Sequence, residues 1–306
     1  MFAELLNNEK IKGTWAWWVA TNDRKAARET REFLSTCFSN INARKKPSVL
    51  KNLYGDRSQV EATLHELVAH ELLRRLNLKP QFGPSVGRQT PDLAFEVKGR
   101  LFVADVFVTH SPSKTVKRFP NGTREIYDSS KPGENRAKKI MDTIQEKAGK
   151  YANIVHPLVL FVFVGDQNVN DWNVEQALFG RTVDEAGPAE YFPDAGRSPI
   201  PIGGLLLPDD DGAMPYRNLS AVVVCNWFDT LNRDDRGKRL HCSVLHHWKP
   251  QVRLPAEAFR NFVQVLWDQN LPGAFRPRRT AAWNIVAKFV SSEGMQFGPY
   301  SSDHPW

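Results

Sequence analysis

The run 157-PLVLFVFVG-165 limits the possible folds of this chain more than any other stretch. It is continuously apolar, without the alternation of a strand that has one wet face. Such a run reads as a central strand buried on both faces, which is the habit of parallel strands covered by helices. A sheet of that kind needs helical cover above and below, so the sequence should hold strong amphipathic helices. Residues 57–76 supply one: Val60, Leu64, Leu67, Val68, Leu72 and Leu76 recur at helical spacing. Asp56 or Ser58 can cap its start. A second helix covers about 133–151, with an apolar stripe at Ile140, Ile144, Ala148 and Tyr151.

Between the two helices lies 90-TPDLAFEVKGRLFVADVFVTH-110. It reads as strands 93–98 and 101–110 joined by a tight turn at Gly99-Arg100, with 157–165 beside the second strand. Later strands are expected at 204–207, 220–228 and 240–248, and a helix near 256–269. Residues 1–55 read as helical and irregular, with a helix near 23–38. Their Trp15-Ala16-Trp17-Trp18 cluster is either a clamp that packs this arm on the core or a base-stacking surface. The order of elements gives an α/β fold, a mixed central sheet flanked by helices, with a helical N-terminal extension. The expected divisions are 1–55 for that extension, 56–270 for the α/β domain and 271–306 for a C-terminal arm.

Charge matters for function. The 306 residues hold 41 Lys and Arg against 34 Asp and Glu, a net charge of +7. This favours an anionic partner, nucleic acid before a membrane surface. A polar stretch at 111–132 carries Lys114, Lys117, Arg118 and Arg124, which suit either a solvated surface loop or contacts to backbone phosphates. Three separated cysteines, Cys37, Cys225 and Cys242, form no CxxC pattern; Cys225 and Cys242 lie in apolar strand-like runs and read as buried thiols. No basic-then-apolar leader and no membrane-length apolar run is found, so the expectation is a cytoplasmic protein without a membrane partner. His65-Glu66-Leu67-Val68-Ala69-His70 imitates a zinc-protease motif, but its histidines are five apart. On a helix that separates them by about 140°, too far to share an ion.

The residues that ask for chemistry are acids. Asp105 sits inside Phe102–Val108, where burying a carboxylate is costly unless it is paired. Antiparallel pairing of the two strands brings it towards Asp92. Two close carboxylates repel unless a cation lies between them, and such hard oxygen donors suit Mg²⁺ or Mn²⁺. A third acid can come from helix 57–76: Glu66, with Glu61 and Glu71 open on spacing alone. On this reading Asp105→Ala costs little stability without metal, since it removes one of two repelling groups.

In order and spacing, these features resemble the PD-(D/E)XK nuclease superfamily, the restriction-endonuclease-like fold. The likeness is nearest to bacterial members with an acid-x-threonine second motif. It rests on Glu66-Leu67 with Leu73-Arg74-Arg75-Leu76, Thr90-Pro91-Asp92, Asp105, Lys147-Ala148-Gly149-Lys150-Tyr151, Pro157-Leu158-Val159 and Ala177-Leu178-Phe179-Gly180. It covers about 57–180. The resemblance implies a Mg²⁺- or Mn²⁺-dependent nuclease acting on DNA, with Glu66, Asp92 and Asp105 as metal ligands. It also implies a place in a bacterial defence or repair system, with protein partners or a homo-oligomer.

One departure stands out. Two residues after the second-strand acid the family has Lys, or Thr in the variant; here it is Phe107. Either another lysine has taken over or activity is lost. Lys98 shares a strand face with Asp92 by alternation. Lys147 lies within the inward stripe of helix 133–151, where it either pairs with an acid such as Asp105 or snorkels at the edge. Two functions are therefore expected side by side. One is a nuclease using Lys147 or Lys98, the other an inactive nuclease-like module for nucleic-acid binding or assembly. A structural or interaction protein with no nucleic-acid role is a third.

Overall fold

A computed structural model describes residues 1–23, 25–109, 117–118, 124–125, 134–164, 174, 177–178, 204–206, 214–228, 239–247, 249–260, 262–267, 277–279, 285–290 and 294–299. Its organising strand is β6 (Leu158–Val164), all seven residues of which are buried. β6 runs parallel to both neighbours, β3 (Arg100–Thr109) and β7 (Leu219–Phe228). This is the position that a two-sided apolar run demands, because helices cover both faces.

β2 (Leu93–Val97) pairs antiparallel with β3, and β1 (Gln81–Phe82) adds to the far edge of β2. Val97 faces Arg100, so the hairpin turn is Lys98-Gly99, one residue earlier than the sequence suggests. Both turn residues have left-handed backbone, with φ 49° and 76°. Such a two-residue turn matches the twist of the flanking strands.

On the other side, β8 (Arg239–His246) pairs antiparallel with β7. The outer edge of β8 is shared: its start pairs with β11 (Ile285–Val290) and its later half with β9 (Val263–Trp267). β12 (Gly294–Pro299) and β10 (Pro277–Arg279) extend these two branches. The described residues of 271–306 are therefore strands of the same sheet. A short separate hairpin pairs β4 (Lys117–Arg118) with β5 (Arg124–Glu125).

Two later expectations need correction. The helix expected over 256–269 is only a 3₁₀ turn at Ala256–Phe259, followed by β9. Val263 and Val265 favour an extended chain, and the Gln264 side chain is buried against His246 Nε2 at 2.8 Å and the Ala256 carbonyl at 2.8 Å. Residues 204–206 form a turn rather than a strand, with Leu205 and Leu206 N–H groups donating to the Ala177 and Leu178 carbonyls.

Alternation sorts the sheet residues into two apolar layers. Phe95, Phe102, Ala104, Val106, Phe161 and Val223 face α5 (Arg57–Arg75). Val103, Phe107, Leu160, Val162 and Val224 face α6 (Glu134–Lys150), whose Ile140, Ile144 and Ala148 pack there with Tyr151. Asp56, not Ser58, caps α5, its carboxylate accepting from Gln59 N–H at 2.9 Å. The N-terminal extension is helical: α1 (Phe2–Leu6), α2 (Trp15–Thr21), α3 (Lys25–Ser39) and α4 (Lys46–Asn52). Leu34, Cys37, Val49 and Leu53 join the α5 layer. Trp17 and Trp18 are half-buried against it, as a clamp would be. Among the described residues, no helix is long and apolar enough to cross a membrane. Cys37, Cys225 and Cys242 are buried and form no disulfide; Cys242 Sγ lies 3.5 Å from Cys225 Sγ.

Candidate active site around Asp105

Asp105 follows Ala104 on β3 and so faces α6, between Val103 and Phe107. It is fully buried. Two donors from the end of α6 meet it. Lys147 Nζ lies 2.6 Å from Oδ2, and the Tyr151 hydroxyl donates to Oδ1 at 2.7 Å. Lys147 and Tyr151 are four residues apart, so one helical face delivers both. Lys150 Nζ stands farther out, 3.8 Å from Oδ2. The α6 terminus is anchored where its carbonyls would otherwise lack partners: Asn218 donates to the Ala148 carbonyl at 3.1 Å.

Asp92 precedes β2. Its Oδ2 accepts the Val106 N–H at 2.7 Å, taking up a β3 backbone donor beyond the end of the β2 ladder. Its own carbonyl accepts from Gly83 N–H at 2.7 Å. Glu66 comes from the middle of α5, the helix packed against β3.

These groups feel one another. Burial and then the Asp105 charge push Glu66 up to about 7, with Lys147 opposing. Burial, Asp105 and Glu66 push Asp92 up to about 8, against the Val106 N–H and Lys147. For Asp105, burial alone would raise the carboxyl. The Lys147 charge and hydrogen bond, with Tyr151 and Lys150, outweigh it and hold Asp105 below the usual carboxylate range. Burial would likewise lower Lys147, but Asp105 more than offsets this and its ammonium is held more firmly than usual. Tyr151 is raised by burial and by its bond to Asp105. Near neutral pH the site thus holds an ionised Asp105–Lys147 pair beside a mostly protonated Asp92 and a partly protonated Glu66. Titratable neighbours pushed apart in this way are a common basis of acid–base chemistry.

Lys147 and Tyr151 contact Asp105, Asp92 holds the Val106 N–H of the next β3 residue, and Glu66 is linked to them only by its electrostatic coupling; Lys98 lies elsewhere. β2 ends at Val97, and Lys98 occupies the turn at the strand end away from Asp92. Its side chain is 68% exposed and lies 3.5 Å from Glu257. Of the other helix acids, Glu71 is saturated by Arg74, Arg75 and Asn40, and Glu61 accepts from Arg57 at 3.0 Å. Phe107 is packed in the α6 layer. Lys114 lies outside the described residues; Lys117, Arg118 and Arg124 belong to the β4–β5 hairpin. Tyr151 is the functional neighbour missed by sequence reasoning. Its signal was its place four residues after Lys147, but a tyrosine in an apolar stripe reads as core.

The donor chemistry fits a hard divalent cation. Burial and mutual repulsion raise Glu66 and Asp92, and a cation would remove both penalties. Among the described residues, no three His, Cys, Asp or Glu side chains are already gathered as a ligand set. No protein-family model, curated protein or solved structure matches this chain.

Proposed function

We propose that this chain is a cytoplasmic, metal-dependent nuclease that hydrolyses phosphodiester bonds in DNA. The observation that carries this reading is the 2.6 Å contact between Lys147 and Asp105, beside Asp92 and Glu66. A helix with an acid, an acid before a strand, a hairpin to a strand with a second acid, and a crossover helix with a lysine occur in the order expected for PD-(D/E)XK nucleases. In this reading Lys147 replaces the missing motif lysine.

Glu66, Asp92 and Asp105 would hold Mg²⁺ or Mn²⁺, which supplies Lewis-acid polarisation of the phosphodiester when bound. The chain's own groups do the rest. Lys147 is a fixed cation that can offset charge developing on phosphate. Its pairing with Asp105 keeps it protonated through the neutral range. Glu66 and Asp92 would act as ionised ligands, because a bound cation offsets the burial and repulsion that raise them without metal. Tyr151 fixes the rotamer of Asp105.

A second reading has its own support. Phe107 fills the usual lysine position, and Asp105 already has donors on both oxygens. Both suit an inactive nuclease-like module that binds nucleic acid. Incubation of the chain with supercoiled plasmid in Mg²⁺, Mn²⁺ or chelator separates the two. Metal-dependent nicking that disappears in Asp92→Asn is expected for a nuclease. Binding without nicking in either metal supports the inactive module.

A further inference from the structure

Two segments far apart in sequence carry bases and no acids. Residues 40–55 hold Arg44, Lys45, Lys46 and Lys51; residues 77–91 hold Lys79 and Arg88. Neither contains Asp or Glu, although the chain has 34 acids to 41 bases. An ordinary solvated surface mixes the two signs.

The fold joins these segments. Lys45 Nζ donates to the Gly83 carbonyl at 2.6 Å, and Gly83 N–H donates to the Asp92 carbonyl at 2.7 Å. Gly83 has φ +54°, a left-handed conformation that glycine adopts without strain. The link ties the start of α4 to the loop leading into Asp92. Lys46 is held against the Phe38 ring and the Ser39 carbonyl. Arg44, Lys51, Lys79 and Arg88 are exposed, and among the described residues no carboxylate pairs with them. Tyr54, just past α4, is 53% exposed and offers an aromatic face on the same segment.

We propose that this base-rich rim, from α4 and the β1 loop, is a docking track for the phosphate backbone of DNA approaching Asp92. Its role as an entry track rests on the nuclease reading; the binding itself does not. Phosphate is the ligand that rewards several cations without anions, because each neutralised phosphate releases counterions. An exposed aromatic adds sequence-tolerant stacking where bases are unpaired.

The test is fluorescence anisotropy of the full chain with a labelled DNA duplex across a salt series, in chelator so that no cleavage occurs. Wild type is compared with the triple variant Arg44→Ala/Lys51→Ala/Arg88→Ala and with a charge-matched control, Lys139→Ala/Lys249→Ala/Arg260→Ala. The rim variant should bind at least about tenfold more weakly, with a salt slope shallower by about 0.9 for each phosphate that is no longer neutralised. The control should keep the wild-type slope. Wild type that does not bind, an unchanged rim variant, or an equal weakening in the control overturns the proposal. Rim-dependent binding without cleavage in Mg²⁺ overturns the nuclease reading alone.

Discussion

Both carboxylate oxygens of Asp105 are occupied by donors from the end of α6, so each donor has a measurable worth. Tyr151→Phe removes one hydrogen bond to a buried charge and should cost about 1.5–3 kcal/mol by urea denaturation. Asp105→Ala should cost at least as much. The sequence suggested the opposite, because an acid beside another acid looks like a liability. The structure reverses this: removing Asp105 strands the Tyr151 hydroxyl and a Lys147 side chain that is only 26% exposed. Lys147 itself was legible, since it falls in the inward stripe of an amphipathic helix. Lys98 was misread because alternation along a strand does not reveal where the strand ends. The raised acids give a pH signature. Glu66 and Asp92 titrate near 4.5 and 3.8 when unperturbed, and at about 7 and about 8 in the folded chain. The folded state therefore binds more protons across that interval. Metal-free stability should fall by a few kcal/mol as pH rises from about 4 to about 8, then level off. Asp105 acts oppositely: its contribution is present above the usual carboxylate range and is lost as pH falls through its depressed value. Denaturation midpoints across pH, with and without Mn²⁺, read this directly. Mn²⁺ should flatten the fall.

At the scale of elements, the β2–β3 hairpin offers a clean change. Lys98 holds left-handed backbone with an exposed side chain, and asparagine tolerates that conformation better. Lys98→Asn should raise stability by up to about 1 kcal/mol, seen as a higher melting temperature, while metal-dependent activity is unchanged. The central elements were readable because their patterns had only one solution. An unbroken apolar strand must be interior, and α5 and α6 carry sustained stripes. β9 was not readable. Phe259, Phe262 and Leu266 mimic helical spacing, while the competing Val263–Val265 alternation spans only three residues. Burial of Gln264 against His246 decides the matter, and that hydrogen bond joins strands distant in sequence. The strands of 271–306 were hidden for a related reason: Arg, Pro and Gly there mask short segments that gain order from sheet pairing.

Across the whole molecule, the net charge of +7 is unevenly spread. A base-rich rim is tied through Lys45 and Gly83 to the loop that leads into Asp92, so the proposed polyanion track and the proposed cation site would meet there. The proposed hydrolysis turns on Lys147 and its contact with Asp105. The most direct test is the single-turnover rate of DNA cleavage in Mg²⁺ for wild type and Lys147→Ala, with folding of the variant verified by thermal melting. The account predicts metal-dependent cleavage by wild type and a rate lower by roughly 100-fold or more in the variant. Equal rates in the two proteins, or no cleavage by wild type in Mg²⁺ or Mn²⁺, would contradict it.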